Sequence, residues 1–240
     1  MKEQKLHDQL QDVPGAPLQR KSFLKYTAIS GAAMFIGLES CKKDNKNPNP
    51  SPSTTDVGSG DTGILNFAYA LEQLEAAFYT MVSASFYAGI TTDEQTILTD
   101  IMYHEVLHRN FFKAALGTSA IGTLQFDFSS VDFTSRASVL NTAKALEETG
   151  VSAYNGAGAY ITNPDYLTLA GKIVSVEARH AAAIRDLLNP KSGDFAGDDV
   201  VNPASGLDFS RTPNSTTGGP SIVATANRFL TTKISATKLP

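Results

Sequence analysis

The octapeptide YHEVLHRN, residues 103–110, supports two incompatible readings. Read as His-Glu-x-x-His, it is a helix on which His104 and His108 hold one metal ion and Glu105 serves as a base. Read as Glu-x-x-His, it supplies Glu105 and His108 to a two-metal site inside a helix bundle, with His104 a bystander. Positions i, i+3 and i+4 all lie on one helix face, so these eight residues cannot choose.

The helix carrying them opens with a capping-box pattern (Thr91 to Glu94, or Thr92 to Gln95) and stops at Gly117. Leu98, Ile101, Glu105, His108, Phe112 and Leu116 share one of its faces. Upstream, ILNFAYALEQLEAAFYTMVSASFYAG (64–89) predicts a helix with Asp61 or Thr62 near its N-cap and Gly89 as its stop. It is apolar nearly all round and so should be buried on most faces. Its only charges are Glu72 and Glu75, and it holds no Lys or Arg to pair with them. A buried carboxylate without a cationic partner either keeps a proton or coordinates a cation. Glu72 lies mid-stripe among Leu65, Ala68, Tyr69, Ala76 and Tyr79, whereas Glu75 lies on the shoulder and is expected to reach solvent at a seam.

Downstream, TSAIGTLQFDFSSVDFT (118–134) has no helical period and is long enough to run the length of a bundle. A third helix is predicted from about Ser135 to Tyr160, with Leu140, Ala143, Val151, Tyr154 and Gly158 around Glu147. Asn163-Pro164 breaks it. A fourth, DYLTLAGKIVSVEARHAAAIRDLL (165–188), puts Tyr166, Ala170, Ile173, Glu177, His180, Ile184 and Leu188 on one side and Lys172, Arg179 and Asp186 on the other. LEQLEAAFY (71–79) and LEETGVSAY (146–154) then emerge as a repeat: Leu-Glu, with Tyr seven residues after the Glu. Each is followed at a similar distance by Glu-x-x-His. The pattern predicts two helical hairpins of one plan, joined by a long crossover. It favours Glu72 over Glu75 and Glu147 over Glu148.

One Glu from each of two helices, with Glu-x-x-His from each of the other two, is similar to the ligand set of ferritin-like carboxylate-bridged dimetal proteins. LNFAYALEQLEAAFY, HEVLH, LEETGVSAY and VEARHAAAIR resemble the bacterial ferritin-like domain family, which is related to desiccation-related ferritin-like proteins. The resemblance covers about Ile64 to Leu188. It implies an all-α fold, a ferritin-like four-helix bundle with a long crossover between helices 2 and 3 and an irregular C-terminal tail. It also implies two iron (or manganese) ions, bridged by Glu105 and Glu177, with Glu72 and Glu147 terminal and His108 and His180 binding one ion each. Oxygen-rich ligation with some imidazole suits iron or manganese better than zinc. Glu75, Tyr79, Tyr154 and His104 are candidates for contacts behind these ligands, with bundle packing the alternative for the tyrosines.

Oxidation of a metal or small substrate by oxygen or peroxide is the activity this implies. The alternative is a non-enzymatic envelope stress or binding protein on the same scaffold. The zinc-protease reading lacks a third ligand, because RNFFKAAL follows His108, and it leaves Glu72, Glu147, Glu177 and His180 unexplained.

The 240-residue chain has a formal net charge of −4, with neither a basic stripe nor a strongly acidic block, which argues against nucleic acid as a partner. Its one cysteine, Cys41, excludes internal disulfides and Cys-rich zinc sites. QRKSFLKYTAISGAAMFIGLESC (19–41) reads as an export signal: a basic cluster, an uncharged run too short to span a bilayer, then the cysteine. RKSFLK resembles a twin-arginine motif through Arg20, Lys21, Phe23 and Leu24, and LESC resembles a lipoprotein box that makes Cys41 a lipidation site. The expected organisation is a signal over 1–41, a flexible linker over 42–62, the bundle over 63–189, and an extended tail with a short helix over 190–240. The expected setting is an exported periplasmic or outer-membrane lipoprotein of a bacterium, served by the twin-arginine export machinery and held at the membrane by a lipid anchor. Tail packing or a homodimer would each explain a first helix that is apolar on every side.

Overall fold

Four long helices follow from the patterns above, and their ends are set by side chains that cap them. The computed structural model describes residues 54–216 and 219–240. Cys41, Arg20, Lys21, Phe23 and Leu24 lie outside the described residues, as do the rest of the signal and most of the linker. Helix α1 spans Gly60–Ala84, α2 Thr92–Leu116, α3 Arg136–Gly158 and α4 Pro164–Leu188. At the start of α2, Thr91 and Glu94 form both halves of a capping box. Asn163, the residue whose Asn-Pro pair ends the third helical pattern, caps α4 by accepting from the Asp165 amide at 2.8 Å, with Pro164 as the first helical residue.

The first helix departs from expectation at both ends. It begins a turn early, with Ser59 as its N-cap, and Asp61 is used elsewhere. The Asp61 carboxylate accepts from the amides of Thr162 and Asn163, each at 2.8 Å, and so fastens the start of α1 to the turn between α3 and α4. The helix also stops five residues short of Gly89, because Ser85 is extended and the chain turns Tyr87 back into the core.

α1 packs along α2 and α3 along α4, and the hairpins meet through α1 against α3 and α2 against α4. The result is the pair of helical hairpins that the repeat predicts, assembled as the all-α ferritin-like bundle that the resemblance implies, with its crossover over 117–135. Leu124, Phe128 and Val131 of the crossover are buried against the bundle. Its irregular backbone still needs hydrogen-bond partners once buried. Two amide side chains two turns apart on α1 supply them. Asn66 donates to Ser119 O and accepts from Ile121 N, both at 2.9 Å, and Gln73 accepts from Leu124 N at 3.0 Å.

The chain after α4 carries β2 (Val201–Asn202), β3 (Leu207–Asp208), α5 (Ile222–Asn227) and β4 (Ile234–Ser235). Ile222, Leu230, Ile234 and Leu239 bury into the same core as α1. Strand β1, Thr55–Asp56, pairs parallel with β4. Residues 55–62, expected to belong to a flexible linker, therefore hold regular structure. Their Ser/Thr/Gly composition conceals a buried Val57 and a backbone partner supplied by the far end of the chain. The all-round apolar surface of α1 is thus covered by α2, α3, the crossover and the tail of its own chain. No helix among the described residues is long and apolar enough to cross a membrane.

Candidate metal centre

Each long helix presents its carboxylate to the bundle axis at mid-length. Glu72 (α1), Glu105 (α2), Glu147 (α3) and Glu177 (α4) are all fully buried. His108 and His180 follow their glutamates by three residues and lie on the same inward face. His108 Nδ1 stands 3.3 Å from Glu72 Oε2, 3.5 Å from Glu105 Oε2 and 2.9 Å from Glu177 Oε1. His180 Nδ1 stands 2.8 Å from Glu105 Oε1 and 3.4 Å from Glu147 Oε2. Two groups result, Glu72/Glu105/His108/Glu177 and Glu105/Glu147/Glu177/His180, each with its facing atoms within 4.8 Å of one another. Glu105 and Glu177 belong to both.

Tyrosines hold the outer carboxylate oxygens across the hairpin boundary. Tyr79 of α1 donates to Glu147 Oε1 at 2.5 Å, and Tyr154 of α3 donates to Glu72 Oε1. Each of these glutamates thus has one oxygen tied to a phenol and the other turned inward. Glu72 Oε2, Glu147 Oε2, both oxygens of Glu105 and Glu177, and the Nδ1 atoms of His108 and His180 are buried without a hydrogen-bond partner. They approach one another closely, yet none of the approaches is aligned as a hydrogen bond. Buried polar atoms are rarely left so. Atoms that converge without bonding each other suit cations placed between them, and this donor set fits metal.

The electrostatics agree. Burial pushes Glu72 up to about 8, and it pushes Glu147 up as well. Glu177 and Glu75 rise well above the usual carboxylate range through burial and the neighbouring carboxylates. Burial also acts on Glu105, but the flanking His108 and His180 outweigh it and bring Glu105 down to about 2. The same carboxylates overcome burial at the histidines and raise His108 to about 12 and His180 to about 10. Without metal, protons do the neutralising. Cations of higher charge would displace them.

Glu75 does not reach solvent as its shoulder position suggested. It is buried, with Oε2 unpartnered, and it faces Glu177 across Gly150. A Cβ on Gly150 would stand 3.2 Å from Glu75 Oε1 and 3.3 Å from Glu177 Oε2, so the missing side chain is what admits a fifth carboxylate. The one sequence signal for this was the lack of any cation for Glu75 on its helix. His104 joins neither group. It stacks on His180 with ring centroids 5.1 Å apart, and its Nδ1 lies 2.8 Å from His180 Nε2, the nitrogen facing away from the centre. The single-metal arrangement of His104 with His108 is therefore not formed. Glu148 turns away as well, toward Arg185 and Lys144.

Four helices lending carboxylates and imidazoles to one buried cluster define a class: ferritin-like bundles fit to hold metal. A family model described as the ferritin-like domain matches residues 60–190, and the chain belongs to that family. No curated protein matches the chain.

Proposed function

We propose that this is an exported protein that binds a dinuclear iron or manganese centre and carries out oxygen- or peroxide-dependent oxidation. The observation carrying this reading is the overlap of two four-residue groups through Glu105 and Glu177. A carboxylate has two oxygens, so each shared residue can face two cations at once. Glu72 with His108, and Glu147 with His180, would complete the two sides. Iron or manganese bound there supplies redox chemistry that no amino-acid side chain in the cluster has. The chain's own residues contribute geometry and insulation. Tyr79 and Tyr154 fix the rotation of the terminal carboxylates, His104 sets which nitrogen of His180 faces inward, and the surrounding apolar core keeps out bulk water.

Metal analysis of the purified chain tests the reading, with about two iron or manganese ions per molecule expected. Their redox-dependent absorbance should disappear in Glu105→Ala. A second reading, a non-enzymatic binding protein, draws on the ability of His108 and His180 to neutralise the cluster with protons alone. A bundle that is metal-free as purified and takes up neither iron nor manganese when they are supplied would establish that second reading and overturn the first. Export rests on residues 1–41 with Cys41 as the lipidated residue; release of the protein from membranes by Cys41→Ser is its test.

A further inference from the structure

Away from the metal centre, the segment from Asp194 to Arg211 crosses the outer face of α3 and α4 as a strap fastened at both ends. At one end Arg185 of α4, 5% exposed, pairs with Asp199 Oδ1 at 2.7 Å and with Glu148 of α3. At the other, the Arg211 amide donates to Ser152 O at 3.0 Å. Gly156 lies so close beneath that a Cβ there would stand 2.1 Å from the Arg211 carbonyl oxygen. Between these fastenings, a cavity of about 540 Å³ lies between the strap and the helices. It opens to solvent past exposed side chains, and small-ligand clefts have this size.

The walls define the chemistry of an occupant. The floor is made of small side chains, Ala145 and Ser152 from α3 and Ala178 and Ala182 from α4, so a flat molecule can lie on it. Phe195 and Phe209 line the cavity, yet they are 56% and 44% exposed, leaving aromatic surface for contact. Two polar groups remain unused. Arg211 Nε is buried without a hydrogen-bond partner, and the Asp208 carboxylate has no ion pair or hydrogen bond among the described residues. Arg185 is already neutralised by Glu148 and Asp199. Lys144 also stands 3.8 Å from both Glu148 and Asp199, so three cations, Lys144, Arg185 and Arg211, balance the carboxylates of Glu148, Asp199 and Asp208. With no net charge around it, the cavity favours neither an anion nor a cation. One free donor, one free acceptor and two aromatic surfaces suit a neutral ring that carries hydroxyl groups on its edge and C–H bonds on its face. We propose that the cavity beneath the strap binds a neutral saccharide of one or two rings. The proposal is independent of the metal centre.

Saturation-transfer NMR on the full chain with maltose, cellobiose and N,N′-diacetylchitobiose tests it. Transfer from at least one sugar is expected. Ala182→Leu, which fills the floor, should abolish it, and Phe209→Ser should weaken it about tenfold through loss of one aromatic contact. Metal content should be unchanged in Phe209→Ser, which lies on the strap and decides the matter if Ala182→Leu does not fold. The proposal is overturned if no sugar shows transfer, if transfer survives Phe209→Ser unaltered, or if the cavity takes 8-anilinonaphthalene-1-sulfonate and none of the sugars.

Discussion

Glu105 and Glu177 belong to both candidate metal-binding groups, yet the metal-free protein should respond very unequally to their isosteric replacement. Glu105 carries its charge between two imidazolium rings, with His180 Nδ1 at 2.8 Å and His108 Nδ1 at 3.5 Å. Glu105→Gln leaves those cations buried without their main partner, and breaking such a pair costs about 3–5 kcal/mol. For a domain of this size, each kcal/mol shifts the melting temperature by about 2–4 °C, so a drop of about 10 °C is expected. Glu177 is pushed well above the usual carboxylate range by burial and by the neighbouring Glu105 and Glu72 carboxylates, so its charged form is disfavoured where it stands. Glu177→Gln removes no favourable buried charge and should change stability by less than about 1 kcal/mol. Calorimetry of chelator-treated protein at pH 7 measures both. The pH dependence has a definite sign. Glu105 falls to about 2 from an ordinary 4.5, so its contribution is fully present above pH 4.5 and is lost as pH falls toward 2. Melting of Glu177→Gln as early as Glu105→Gln would refute this contrast between a favoured and a disfavoured buried charge.

Tyr79→Phe and Tyr154→Phe each release one terminal carboxylate, and each should weaken metal binding about 10–100-fold, to a similar extent, in competition titrations with a chelator. Metal uptake should release protons, because His108 and His180, at about 12 and about 10, must lose theirs to ligate. Calorimetric titration in buffers of different ionisation enthalpy should show that release, and affinity should fall as pH is lowered. Gly156→Ala drives a methyl into the Arg211 backbone and should cost about 1–3 kcal/mol, with earlier proteolytic cleavage of the strap as its signature.

The four-helix plan was legible in the sequence because the repeat states it twice: Leu-Glu with a later Tyr, then Glu-x-x-His at matched distance. The inward glutamates could be told from their neighbours for the same reason. Helix ends were less legible. Gly89 looked like the stop of α1, but the burial of Tyr87 breaks the helix earlier, and that depends on the core it enters. Glu75 was misjudged because a position on a helical wheel gives direction and not depth. Whether a shoulder residue meets water depends on what the facing helix offers, and α3 offers a bare Gly150. The ordering of residues 55–62 was hidden because their partner strand lies at the opposite end of the chain, where no local pattern points to it.

Neither hairpin owns a complete half of the centre. The group around His108 borrows Glu177 from the second hairpin, the group around His180 borrows Glu105 from the first, and each tyrosine steadies a glutamate across the divide. During folding, a tight cation site can therefore appear only after the two halves have docked. Ion capture would then be a clock for that late event, and a loaded centre would act as a rivet against their separation.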